Sequence, residues 1–559
     1  MILMRKEVEI VIENTGQKVR VTPGHSLLEI SKIFEIKFDY QILGAMVNNQ
    51  LKELDYEIFT PKTVRYIDIT HPAGMRMYQR SLFFLLQKAV RDIIPGAKVR
   101  IEHSVSKGFY CEIDGCNLPL ELPLIFNICD RMREIVAADL PFRRDKVLTS
   151  DAIKLFRDLG YEDKARLFET RPTLYTSVYY LGDMADYFFG SLVPSTGYLK
   201  VFDLTKYYDG MLLRVPKRFQ PDEVEDVVIQ NKMFEIFQEY KDWLEILGVE
   251  NVGAINQEVA KGNASELIKI SEALHEKKVA DIADRIHQQP EPVRLVLISG
   301  PSSSGKTTFA KRLAIQLKVN GLKPYTISLD NYFVDREKTP KDEFGNYDFE
   351  ALDALDVDYF NNDLVRLLKG EEVEIPKFSF EEGKRFFDDT KLQIEPNGVI
   401  IIEGIHALNP ALTHLIPNNQ KFKVYVSALT SISIDGINRI PTTDNRLIRR
   451  IVRDYRYRGY SALDTIGRWE SVRRGEDKNI FPFQEEANVM FNSALLYEFS
   501  VLKRFAEPII QEVPPTRPEY DEAQRLLKFL SYFTPISERE VPPTSIIREF
   551  LGGSTFSYK

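Results

Sequence analysis

The chain has 559 residues, of which 44% are hydrophobic and 28% charged, with 29 glycines and 29 prolines. That balance excludes collagen-like, mucin-like and wholly disordered chains, and the length leaves room for three or four domains, each with its own core. A formal charge of −8, from 74 basic and 82 acidic residues, opposes a broad, salt-sensitive hold on nucleic acid and leaves only a local basic patch as an option.

Cys111, Cys116 and Cys129 sit in one third of the chain without a CxxC pair or neighbouring histidines, so neither a disulfide framework nor a zinc site is indicated. Free thiols in a reducing compartment are expected. Met1 to Glu13 alternates charged and aliphatic residues, unlike a cleaved secretory signal. No apolar run approaches the length that spans a bilayer. A cytoplasmic chain without a membrane partner is the resulting expectation.

In chain order, Val8 to Ile12 and Lys18 to Val21 alternate as strands around Asn14-Thr15-Gly16, a hairpin turn. An amphipathic helix near Leu27 to Phe34 follows, then Ala45 to Val47, the turn Asn48-Asn49 and Leu51 to Leu54, which together predict a β-grasp domain over 1–70. The arrangement resembles the small TGS domain of threonyl-tRNA synthetases. The resemblance continues over 71–220, where a helix from His71 to Asp92 and the strand Gly108-Phe109-Tyr110-Cys111-Glu112-Ile113 are similar to the α+β editing domain of those enzymes. That domain carries a His-x-x-x-His pair and a later Cys-x-x-x-His. Here the partner of His71 is Met75, and Asp183, Met184, Ala185 and Asp186 stand where the second pair is expected. Editing chemistry is therefore not expected, and His71 before Pro72 reads as a helix-entry residue. The resemblance leaves open a contact with RNA or a ligand through this half.

Over 221–290 apolar residues recur at helical spacing (Met233, Phe234, Phe237, Leu244, Leu247), predicting a helical linker that ends at Pro290 and Pro292. Val293 to Ser299 then reads as a buried parallel strand feeding Gly300-Pro301-Ser302-Ser303-Ser304-Gly305-Lys306-Thr307-Thr308, with helical periodicity from Phe309 to Val319. This is the phosphate-loop pattern between strand and helix. Its glycines let backbone N–H groups turn onto phosphate oxygens, and the helix that starts at Lys306 directs its positive dipole end at them. Lys306 is expected at the β- and γ-phosphates of ATP, with Ser302, Ser303, Ser304 and Thr308 around the phosphates and the Thr307 hydroxyl on Mg²⁺. Two more strands, Tyr325 to Leu329 and Val399 to Ile402, end in Asp330 and Glu403, where an open parallel sheet binds its ligands.

The stretch 291–510 resembles the uridine kinase family of phosphate-loop kinases, which includes phosphoribulokinase. The phosphate loop, Asp330-Asn331-Tyr332-Phe333, Glu403-Gly404-Ile405 and Arg449-Arg450-Ile451-Val452-Arg453-Asp454 with Arg458-Gly459 match its ordered blocks. By position the resemblance makes Asp330 the general base, close to the metal, and has Glu403 hold Mg²⁺ through water. Arg450 would reach the transferred phosphate, and Arg453 and Arg458 would clamp ATP. It also implies Phe333, Glu350, Phe378, Arg385 and Arg468 as substrate contacts, with Asp353 and Asp356 as alternative ribose partners and Phe380 as a second stacking ring.

Tyr347-Asp348-Phe349-Glu350 has Glu where the family has the ribose-binding Asp, and the base-reading Tyr and His fall near Phe378 and Gly383. Loss of such readers relaxes or redirects base selection. The fold class expected is therefore α/β, a P-loop kinase with a parallel sheet flanked by helices, preceded by the β-grasp and synthetase-editing-like α+β domains and followed by a helical tail over 511–559. The function expected is ATP-dependent phosphorylation of a small hydroxylated molecule, a nucleoside first. A non-nucleoside or phosphorylated acceptor, suggested by Arg468, Arg473 and Arg474, and an RNA-associated nucleotide-dependent regulator stay open, as does self-association.

Overall fold

The computed structural model describes residues 7–558 except 117, 344, 346 and 380, so the expectation for Phe380 lies outside the described residues. Strands Val8–Ile12 and Gln17–Val21 form the hairpin. Lys62–Ile67 runs parallel to the first of them and antiparallel to Gly44–Val47, which turns through Asn48 and Asn49 into Gln50–Lys52. Both asparagines have positive φ, 48° and 58°, as a tight hairpin turn requires. The helix Leu27–Ile33 opens on a Ser26–Glu29 capping box and buries Leu27 and Ile30 against Ile10, Ile12 and Val64. This is a β-grasp.

The helix Pro72–Ile93 starts as expected: Pro72 sits in its first turn, and His71 Nδ1 accepts from the Ala73 N–H at 3.2 Å. Burial, with Arg65, Arg76 and Arg218 nearby, lowers the pKa of this imidazole to about 4, so it remains neutral and able to accept. The helix covers a four-stranded sheet ordered Asp203–Tyr207, Gly210–Arg214, Phe109–Asp114, Lys98–Ile101. A three-stranded sheet of Phe142–Leu148, Tyr175–Leu181 and Met184–Asp186 accompanies it. All three cysteines are free.

Residues 231–287 form three helices, Asn231–Leu247, Val252–Ala260 and Ala264–His287. Val279, Ile282, Ala283 and Ile286 of the third helix are buried in one core with Phe309, Leu313 and Leu317 of the helix after the phosphate loop. Apolar periodicity marks these helices as amphipathic, but the surface they bury against lies far along the chain.

The C-terminal half is built on a fully parallel sheet ordered Lys323–Ser328, Gly398–Glu403, Leu295–Ser299, Lys421–Ser427, Val489–Asn492. Its central strands are buried on both faces, which explains their unbroken aliphatic runs. The order reverses around Leu295–Ser299, so the crevice beyond the C-terminal strand ends lies at the phosphate loop. Among the described residues no helix is long and apolar enough to cross a membrane.

Lys164, almost fully buried, joins the two halves: its Nζ lies 3.0 Å from Asp186 Oδ1 and 2.9 Å from Asp435 Oδ1. Two carboxylates hold this lysine charged despite its burial. Lys164→Met would strand both acids, and breaking a buried ion pair by removing one partner costs about 3–5 kcal/mol. A clear fall in the urea midpoint of unfolding is the expected outcome, and an unchanged midpoint would show the pair to be energetically neutral.

Candidate active site

Where Leu295–Ser299 ends, Gly300 passes so close to the neighbouring strand that a Cβ on it would lie 1.9 Å from the Val426 carbonyl oxygen. Only glycine allows the loop to start there. Ser303 (φ 59°) and Gly305 (φ 85°) turn the backbone into a concave loop, the geometry that gathers N–H groups around an anion. The hydroxyls of Ser303 and Ser304 are buried without a hydrogen-bond partner, and unsatisfied buried oxygens of this kind fit a ligand rather than a finished core. Lys306 arches back, its Nζ donating to the carbonyls of Gly300 (2.9 Å) and Pro301 (3.1 Å). Burial lowers its pKa against the pull of Glu403 and Asp330, which places both acids within its field.

Asp330 lies in the single turn Leu329–Tyr332 that follows Lys323–Ser328. Tyr332 is fully buried and donates to Asp363 Oδ2 at 3.2 Å, anchoring the turn. Glu403 closes its own strand and accepts from Ser328 Oγ at 2.8 Å. Burial, then the charge of Asp330, pushes its pKa up to about 7. Glu350 lies against the helix Ala462–Asn479, where a Cβ on Gly475 would fall 2.4 Å from its own Cβ. One carboxyl oxygen of Glu350 is buried without a partner.

Burial, then the carboxylate of Glu476, pushes the Glu350 pKa up to about 7 from 4.5. The folded protein therefore keeps a proton that the unfolded chain releases above about 4.5, so this group's contribution to stability falls as pH rises toward about 7. Glu350→Gln should melt progressively higher than the parent between about pH 5 and about pH 8. A difference in melting temperature that does not change with pH would contradict this.

The basic helix Thr442–Tyr457 is not a solvated face. Arg446 and Arg449 are fully buried, and Arg449 pairs with Glu498 at 2.6 Å. Arg446 pairs with Glu476, and the two grip Ser302 of the phosphate loop on both sides: the Ser302 N–H donates to Glu476 Oε1 at 3.0 Å, while Arg446 donates to the Ser302 carbonyl at 3.3 Å. Arg450 reaches Ser302 Oγ at 2.9 Å. Arg450, Arg453 and Arg458 converge on Asp454. Burial alone would raise the Asp454 pKa, yet these three guanidiniums hold it below the usual range.

Lys306, Asp330, Glu350, Glu403 and Arg450 thus meet around one loop, with Ser302, Ser303, Ser304, Gly305 and Thr307 forming its wall. The other residues expected at the site are engaged as follows. Arg385 donates to Asp356 (3.0 Å) and to the carbonyls of Tyr332 and Phe333 (both 3.1 Å), so it braces the Asp330 turn. Phe333 is buried in the core beneath and packs against Phe378 at 5.6 Å. Arg468 is exposed and lies over the Tyr460 ring. Arg473 is engaged by Glu476 and Asp477, which removes it as a ready partner for an anionic acceptor. Thr308 is covered by Glu549. Sequence reasoning misses Glu476 and Glu549. Each reaches the loop from a distant segment, and no local spacing announces it.

Residues 295–496 match the model of the Phosphoribulokinase / Uridine kinase family. The N-terminal half is similar to threonine--tRNA ligases. That of Rubrobacter xylanophilus is 30% identical over 191 residues, 34% of this chain and 29% of the ligase. That of Syntrophotalea carbinolica is 32% identical over 209 residues, 35% and 32% of the two chains. The chain thus spans about a third of the length of these curated relatives. Among solved structures, one described as a possible uridine kinase from Bacillus stearothermophilus is 21% identical, covers 38% of this chain and 98% of its own, and has a TM-score of 0.25. The chain thus joins an N-terminal half similar to threonine--tRNA ligases to a stretch, residues 295–496, that matches the Phosphoribulokinase / Uridine kinase family model.

Proposed function

We propose that the protein is an ATP- and Mg²⁺-dependent kinase that transfers a phosphoryl group to a hydroxyl of a small molecule, with a nucleoside as the first acceptor class. The observation that carries this reading is the meeting of Lys306, Asp330, Glu403 and Arg450 around a phosphate loop whose Ser303 and Ser304 hydroxyls lack partners. Phosphoryl transfer asks a protein mainly to align the acceptor and to offset charge on the transferring oxygens. Lys306 and Arg450 supply that positive charge, and the guanidinium suits paired phosphate oxygens. Asp330 takes the proton of the attacking hydroxyl. Thr307, Glu403 and Asp330 are the oxygen donors that would hold Mg²⁺, which would neutralise phosphate charge when bound. The unpartnered oxygen of Glu350 accepts from an acceptor hydroxyl, and Phe378 offers a flat apolar edge. A cytoplasmic setting, where ATP is at hand, belongs to the same reading.

A phosphorylated acceptor loses support because Arg473 is already paired. The test is ADP release from Mg·ATP by the full chain against nucleosides, sugars and phosphosugars. A nucleoside should give the highest turnover, and Lys306→Ala should abolish it. If no acceptor raises ADP release above that variant, the reading fails.

A further inference from the structure

The phosphate loop is not open along its whole length. Thr308, the last residue of the nucleotide-binding stretch, is fully buried, and the C-terminal segment 545–558 covers it. The Glu549 carboxylate accepts from the Thr308 backbone N–H at 3.2 Å and from its hydroxyl at 2.6 Å. The Tyr558 hydroxyl lies 2.9 Å from the same threonine oxygen. Ile546 packs on the loop itself, such that a Cβ on Gly305 would lie 2.5 Å from its Cγ2.

The segment is buried at one end and exposed at the other. Ile546 and Phe550 are fully buried with Phe309 and Leu313, and the Phe550 ring also meets the Arg449 guanidinium. Beyond Gly552 the residues are half-exposed or exposed, tied down by Ser554 and Tyr558, whose hydroxyls lie 3.1 Å apart.

The N–H groups in the first turn of the helix Lys306–Val319 have no partner within the helix and are the donors that a phosphate chain uses. A carboxylate bound there by charge-assisted hydrogen bonds has the charge and acceptor character of a phosphate oxygen. The two cannot share one N–H, and their charges repel. We propose that residues 545–558 form an autoinhibitory strap, in which Glu549 occupies the Thr308 N–H and hydroxyl that the phosphate chain of a nucleotide requires. The inference rests on the kinase reading above. Apparent nucleotide affinity is then the intrinsic affinity reduced by the fraction of molecules in which Glu549 has withdrawn. With Ile546 and Phe550 held in the core, the Glu549 side chain swings away by rotating about its own bonds and the residues beyond Gly552 lift.

The experiment is calorimetric titration of the full chain with Mg·ATP, comparing the parent with Glu549→Ala, Glu549→Gln, Tyr558→Phe and Lys306→Ala. Glu549→Ala should bind about tenfold tighter or better, because the competent fraction rises. Glu549→Gln, which keeps the shape and loses the charge, should fall between the two, and Tyr558→Phe should tighten binding without touching the apolar anchor. Hydrogen exchange in residues 552–558 should quicken when Mg·ATP is added to the parent. Parent binding that depends on Lys306, together with unchanged or weaker binding by Glu549→Ala and Tyr558→Phe, overturns the strap and leaves the kinase reading standing. Absence of nucleotide binding in every form overturns both.

Discussion

Asp330→Asn is expected to lower turnover by about 10²–10⁴-fold and to weaken Mg·ATP binding far less, because asparagine keeps a neutral oxygen for the metal. The carboxylate sits on a turn whose geometry is fixed from two sides: Tyr332 is buried beneath it, and Arg385 ties down the carbonyls of Tyr332 and Phe333. Asparagine keeps the size and the turn but lacks a basic oxygen for the proton of the attacking hydroxyl. The loss should therefore appear in kcat far more than in the binding of nucleotide. Steady-state kinetics beside a calorimetric titration separates the two, and a variant with parental kcat would remove Asp330 from the chemistry.

Lys306→Ala is expected to cost about 3 kcal/mol or more of transition-state stabilisation, by analogy with the loss of one positioned donor. In its present position the ammonium group spans the loop by donating to Gly300 and Pro301. It is the positive group set among Glu403, Asp330 and Glu350. Without it, those acids would face an incoming phosphate chain with no counter-charge between them, so nucleotide affinity should fall along with kcat. The two variants thus differ in signature: Asp330→Asn separates binding from turnover, whereas Lys306→Ala lowers both.

How much of the site is legible in the sequence follows from how local each feature is. The phosphate loop is nine consecutive residues between a strand and a helix, and the acids at positions 330 and 403 follow aliphatic runs, so these parts can be read from the residues themselves. The β-grasp hairpin and the His71 helix entry are legible for the same reason. Resemblance picks out the arginines of the helix Thr442–Tyr457 but not their partners. Arg446 meets Glu476 across two helices and Arg449 meets Glu498 from a third, and charge spacing along one helix cannot indicate which acid lies opposite. In the sequence Arg385 looks available to a substrate because its partners, Asp356 and two carbonyls, lie 29 to 53 residues away. The contact of Glu549 with Thr308 spans 241 residues. Such closures are decided by tertiary packing, here the burial of Ile546 and Phe550 beside the loop.

The most direct test is a crystal structure of the full chain with magnesium and a non-hydrolysable ATP analogue. The account predicts the phosphate chain on the backbone N–H groups from Ser303 to Thr308, with Glu549 withdrawn and the outermost phosphorus facing the Asp330 carboxylate. An analogue bound elsewhere, or a phosphate chain in the loop with Asp330 turned away from it, would contradict the account.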